Sequence, residues 1–257
     1  WAKNVSQQHG LPLSTVGHHY AHVLACMAEF QLNEPVLAFS WDGMGLGDDG
    51  TLWGGEIFLA TPQTCHRVNH LKPFKLLGGD VANQQPRRVA LSLLFDLMPL
   101  KIVLSLELPT VQAFTEFEMY QLHKMHQASL NSPLTSSMGR LFDAVASLLG
   151  LTQQLDYEGQ SGLILEALYD ASVIGAYDFK CGDDDSEDGI ANNQINIEPM
   201  VWQIIEDLQQ GRPKTEMASR FLNMLVNLIE KIASQFSDFP VVVTGGVFQN
   251  QTLLNLL

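Results

Sequence analysis

Two short apolar runs, one toward each end of the chain, constrain its fold more than any other feature. Residues 36–40 read VLAFS and break into WDGMGLG, while residues 241–244 read VVVT and break into GG. A short apolar run closed by glycine reads as a buried strand. The residues between carry helical periodicity instead, at 111–129, 137–149, 157–169, 198–210 and 214–235, with a further helix starting near Pro86. Strands toward both ends and helices in the middle imply an α/β lobe interrupted by a helical one. Residues 1–105 are expected to form an α/β lobe with a histidine helix and a glycine-rich hairpin. Residues 106–238 are expected to form a mainly helical lobe, and 239–257 a return to α/β structure.

The glycine stretches are candidate ligand sites. Residues 51–60 read as a second strand, which makes the first stretch a long hairpin connection rich in Gly and Asp, and 65–72 add a third strand. Glycine admits positive φ and lets a ligand approach closely, and N–H groups exposed there can hold phosphate oxygens. Neither stretch is a Walker A loop, because no Gly-Lys-Ser/Thr is present. The first is not a dinucleotide fingerprint either, since it opens onto a strand rather than a helix. Two such turns flanking a helical lobe are the arrangement of proteins that clasp ATP between two lobes. Gly43, Gly45 and Gly47 in the first turn, and Gly245 and Gly246 in the second, are the candidates to face phosphate.

Three of the eight histidines fall within GHHYAHVLACMAEF, residues 17–30. Val23, Leu24, Met27 and Phe30 recur at helical spacing, so His18 and His22 stand one turn apart on one face. That spacing suits two ligands of one transition metal. A zinc protease helix would place its Glu where His19 stands, which argues against that activity. The competing reading is two histidines on a polar helix face.

Composition narrows the function classes. With 46% hydrophobic and 16% charged residues over 257 positions, the chain can bury a substantial core. A net charge of −14 and the lack of a basic stripe argue against nucleic acid as a partner. No apolar run reaches the 18 residues of a membrane span, and no membrane association is expected. Cys26, Cys65 and Cys181 are isolated, which excludes a cysteine-rich zinc module here and fits a reducing, cytoplasmic compartment. The acidic stretch 181–194, CGDDDSEDGIANNQ, fails as a calcium loop. Counted from Asp183, Asp188 stands where Gly belongs and Gln194 where Glu belongs. It is expected to be a solvated loop. Arg140 and Glu158 read as surface charges.

The motifs HHYAHVLACMAE, WDGMGLGDDGTLWGGE, LGGDVANQQPRRVAL, SSMGRLFDAVASLLGL, YEGQ and TGGVFQN together resemble the C-terminal catalytic region of the HypF carbamoyltransferases, which mature nickel–iron hydrogenases. The same region is similar to the TsaD threonylcarbamoyl transferases of tRNA modification, which share an actin-like, sugar-kinase-like ATP fold. The resemblance implies that fold class, here as a segment truncated at both ends. It implies that His18 and His22 hold a divalent transition metal, Fe or Zn, with Asp42 as a candidate third ligand. It also implies that Gly139 and Asp143 meet the nucleoside end of ATP, bound with Mg²⁺, and that Gly245, Gly246 and Asn250 complete that site. Tyr20 stands where the family usually has a further histidine.

The activity implied is carbamoyl transfer from carbamoyl adenylate, made from carbamoyl phosphate and ATP by the full-length parent, to the C-terminal cysteine of HypE. No catalytic side chain is assigned, and none of the three cysteines is needed as a nucleophile. A TsaD-like transferase acting on tRNA is one alternative, and a fragment that holds ATP or the partner without chemistry is another.

Overall fold

The computed structural model describes residues 1–182 and 193–257, so 183–192, the bulk of the expected acidic loop, lie outside the described residues. Helices α1 (Ala2–His9) and α2 (His18–Glu29) precede a meander of β1 (Val36–Leu46), β2 (Leu52–Ala60) and β3 (Cys65–Leu71), followed by β4 (Phe74–Lys75). Helices α3 (Pro86–Leu97), α4 (Leu100–Ser105), α5 (Pro109–Gln112) and α6 (Glu116–Gln127) lead to β5 (Leu134–Thr135). Next come α7 (Met138–Leu148), α8 (Gln160–Ala167), β6 (Lys180–Cys181), β7 (Gln194–Asn196), α9 (Glu198–Gln209) and α10 (Lys214–Gln235). The last elements are β8 (Val241–Thr244) and α11 (Gln251–Leu256).

The described strands join one mixed sheet. β1 pairs antiparallel with β2 and parallel with β8, the latter in the register Leu37↔Val241 to Ser40↔Thr244. Leu37, Phe39 and Trp41 enter the main core beside residues of α3, α7 and α10, whereas Val36 and Ala38 pack on Val23 and Met27 of α2. A strand covered on both faces reads as an unbroken apolar run rather than an alternation, which is why 36–40 stood out in the sequence. Each large apolar side chain buried there contributes about 1.5–3 kcal/mol.

Three local expectations change. The first glycine stretch is strand, not turn: β1 continues to Leu46 through an irregularity between Trp41 and Gly45, and the connection is the short segment 47–51. The glycines at the end of that strand and just beyond it serve clearance. A side chain at Gly45 would strike the His18 ring, and one at Gly47 the Trp53 ring. The helix expected over 111–129 is two, because Thr115 starts α6 with a capping box in which its hydroxyl accepts from Glu118 N and Glu118 reaches back to Thr115 N. The helix expected over 157–169 is shorter, beginning after Gly159, whose φ is 81°.

Candidate metal and nucleotide site

α2 buries Val23 and Met27 against β1 and β8, which turns its His18–His22 side toward the end of β1. There Asp42 completes a triangle. His18 Nε2 lies 2.9 Å and His22 Nε2 3.3 Å from Asp42 Oδ2, and the two nitrogens are 3.3 Å apart. Ligand atoms bonded at about 2.0–2.2 Å to one ion stand roughly 3–3.5 Å from one another, so the three atoms fit a single coordination shell. Two imidazoles and a carboxylate form a donor set suited to zinc or iron, and all three side chains remain partly open to solvent.

His19, unassigned in the sequence, is 1% exposed, with its ring edge-on to His18 at 4.9 Å and tilted on Trp53. Burial lowers its pKa to about 4, and neither ring nitrogen has a hydrogen-bond partner. Its ligand atom lies within 4.8 Å of those of His18 and Asp42. The His18–His22–Asp42 triangle is tighter.

Asp42 also faces a second site. Its Oδ1 accepts from Gly246 N at 3.2 Å. Burial pushes the Asp42 carboxyl up, but hydrogen bonds from His18, Gly43 and Gly246 outweigh it and hold the group below its ordinary value. Beside it lies a cavity of about 450 Å³ lined by Gly43, Gly139, Asp143, Gly246 and Asn250 among others, a volume suited to a nucleotide. Gly245, with φ 98°, lets the chain turn where a side chain would strike Trp41 O. It shapes the turn without lining the cavity, as Gly45 and Gly47 do not line it either. Of the glycines in the first stretch only Gly43 does, beside Asp42.

The cavity floor is the start of α7. Ser137 Oγ accepts from Arg140 N at 3.1 Å as N-cap and lies within hydrogen-bond distance of the Asp42 and Gly43 carbonyls. Gly139 sits so close to β1 that a Cβ would be 2.8 Å from Gly43 Cα. Asp143 is 2% exposed, and Arg140, at 5%, reaches within 3.1 Å of it while donating to Asn83 O at 3.2 Å. Arg140 is therefore no surface charge: helix packing against β1 buries it beside its carboxylate. Burial pushes Asp143 up, with Arg140 pulling against it. Glu158 is exposed, as expected.

Glu56 escaped the sequence reading. It is fully buried, accepts from Gly54 N at 2.5 Å, Gly55 N at 2.7 Å and the Ser136 hydroxyl, and lies 3.8 Å from Arg67. Burial pushes its carboxyl up to about 7. The available signal was a single carboxylate inside LWGGEIFLA, where every neighbour is apolar or glycine.

Residues 38–257 match the family model described as carbamoyltransferase, Kae1-like domain, second subdomain. The chain is similar to the carbamoyltransferase HypF of Synechocystis sp., 37% identical over 97% of this chain and 33% of that one. It is also similar to a probable carbamoyltransferase HypF of Methanocaldococcus jannaschii, 31% identical over 98% of this chain and 32% of the other. The chain thus spans about a third of the length of these curated relatives. Its structure superposes on full-length HypF in a phosphate- and nucleotide-bound form with a TM-score of 0.86 and 33% identity, covering 98% of this chain and 38% of that one. A T. kodakarensis HypF shares the fold, with a TM-score of 0.82 at 24% identity over 99% of this chain and 34% of its own.

Proposed function

The chain belongs to the carbamoyltransferase Kae1-like domain family, with the α/β actin-like fold of its HypF neighbours, and from that premise we propose that it carries a carbamoyl-transfer site. The donor is carbamoyl adenylate, formed from carbamoyl phosphate and ATP in the full-length protein. The acceptor is the C-terminal cysteine of HypE, and the product is a thiocarbamate on the route to the cyanide ligand of nickel–iron hydrogenases. The observation that carries this reading is the double role of Asp42, which faces His18 and His22 through one oxygen and the Gly246 turn of the cavity through the other. A nucleotide-bound HypF neighbour supports a nucleotide in the cavity.

In this reading Asp143 and Asn250 hold the nucleoside end, while the Gly43 and Gly246 backbones approach the phosphate. His18, His22 and Asp42 hold a divalent metal, which when bound would polarise the acyl phosphate and offset its charge. Carbamoyl adenylate is a mixed anhydride, prone to hydrolysis, so productive transfer requires that water be kept from its carbamoyl carbon. The net charge of −14 favours an acceptor protein over tRNA, whose phosphate backbone it would repel.

Calorimetric titration of ATP with Mg²⁺ into this chain and an Asp143→Asn variant tests the nucleotide site. We expect saturable binding that the variant weakens at least tenfold while melting within a few degrees of wild type. Equal affinity in the two proteins would sink the assignment of Asp143. Transfer of radiolabelled carbamoyl to HypE by the full-length protein tests the reaction itself.

A further inference from the structure

A second cavity, of about 390 Å³, adjoins the first and shares Gly43, Arg140 and Glu158 with it. Three tied segments build it. Asn83, at the end of the 3₁₀ turn 79–83, and Gln84 form one wall, pinned where Leu155 N donates to Gln84 O at 2.8 Å. Arg140, held by Asn83 O, forms the floor. The loop 155–158 forms the far wall, fixed as Asp156 N donates to the Gln160 side chain at 2.8 Å. A reaction between a bound nucleotide ester and a protein nucleophile needs two entrances that meet at one carbon. The two cavities meet at Gly43, next to Asp42.

Glu158 stands at that meeting point. Its Oε1 lies 2.9 Å from where a side chain on Gly43 would begin, so the absence of a Cβ there is what admits the carboxylate. It has no hydrogen-bond or ion-pair partner among the described residues, whereas Asp143 and Asp42 are each engaged. It is exposed, so a proton it gains can pass to solvent.

We propose that the second cavity admits the cysteine-bearing segment of the acceptor, and that Glu158 is the base for its thiol, an inference that rests on the carbamoyl-transfer reading above. The thiol S–H bond breaks and its proton goes to the Glu158 carboxylate. The sulfur pair forms the S–C bond to the carbamoyl carbon, and the C–O bond to phosphate breaks with its electrons leaving on AMP. Glu158 then returns the proton to water. No oxidant or reductant enters. The amide side chains of Asn83 and Gln84 suit the main chain of an extended peptide.

The test is single-turnover transfer to HypE by the full-length protein, with AMP binding measured alongside. Glu158→Gln should slow transfer about 10²–10³-fold, within the range of general base catalysis, and Glu158→Asp should recover part of the loss. AMP affinity should not fall in either, because Glu158 contributes only negative charge to the nucleotide cavity it also lines. Gln84→Trp, which fills the second cavity without touching the backbone bond to Leu155, should raise KM for HypE with kcat and AMP affinity little changed. Transfer by Glu158→Gln at the wild-type rate overturns the role of Glu158. Loss of AMP binding together with transfer does the same, by making the residue part of the nucleotide site. A normal KM in Gln84→Trp overturns the port. A wild-type protein that binds AMP and transfers nothing to HypE overturns the carbamoyl-transfer reading itself, and this inference with it.

Discussion

A carboxylate at the core of a strand is costly unless every oxygen is occupied, and Glu56 meets that condition with two backbone N–H groups and the Ser136 hydroxyl. Burial nonetheless raises it from 4.5 to about 7. The folded state therefore holds the proton more tightly than the unfolded one, and stability is fully present below about 4.5 and lost as pH rises toward 7. That span corresponds to about 3 kcal/mol, an upper figure because Arg67 approaches on one side. His19 acts in the opposite sense, since burial keeps it neutral and its stability is lost as pH falls below the ordinary histidine value. Only the difference between proteins isolates Glu56. We expect Glu56→Gln to gain stability relative to wild type between pH 5 and 7.5 in urea melts, and a constant difference across that range would refute the assignment. Residues like these explain what the sequence hid. Glycine at 45 serves a ring's clearance and glycine at 245 a positive φ, yet the letter is the same. Arg140 and Glu158 both looked like surface charges, and only the packing of α7 on β1 separates the buried one from the exposed one.

At the scale of elements, α7 is the piece on which the site depends. Its N-cap Ser137 satisfies an orphan N–H of the first turn and fastens the helix to the Asp42 and Gly43 carbonyls. Removing that hydroxyl should cost about 1–2 kcal/mol, the usual loss for a cap. It should also loosen Gly43 against Gly139. Ser137→Ala is thus expected to lower the urea midpoint and to weaken AMP binding together. A stability loss with unchanged AMP affinity would show that the cap supports the helix alone. Elements of this kind were legible where local chemistry decides them. The bounds of α9 and α10 follow from apolar period, and α7 from its serine cap and the glycine after it. The break before α6 was also written locally, as Thr-Glu-Phe-Glu, a capping-box pattern that helical periodicity across 111–129 concealed. The continuation of β1 through its glycines was not written locally. It depends on pairing of Gly45 and Leu46 with Trp53 and Leu52 across the hairpin.

Across the whole molecule, the parallel pairing of β8 with β1 is what brings the proposed metal and nucleotide sites together. The register Ser40↔Thr244 places Gly246 beside Asp42, two hundred residues apart in sequence. No local pattern encodes that neighbour: the sequence offered the two glycine turns as a pair flanking a helical lobe, but not the contact of Gly246 with Asp42. The charges lining the cavity would couple the two proposed sites. Asp42, Asp143, Glu158 and Glu166 line it against a single guanidinium, Arg140, itself beside Asp143. A phosphate entering such a site meets net negative charge unless a cation on His18, His22 and Asp42 offsets it. AMP, which needs no Mg²⁺ of its own, isolates this effect. We expect protein stripped of metal by phenanthroline to bind AMP at least tenfold more weakly than protein reloaded with zinc or iron, about 1.4 kcal/mol of coupling. Linkage requires the reverse as well, so AMP must tighten the metal by the same factor. Substituting His22→Ala should abolish both effects while leaving the cavity walls in place. If AMP binds equally well with and without metal, the shared carboxylate does not couple the two sites, and Asp42 serves them independently.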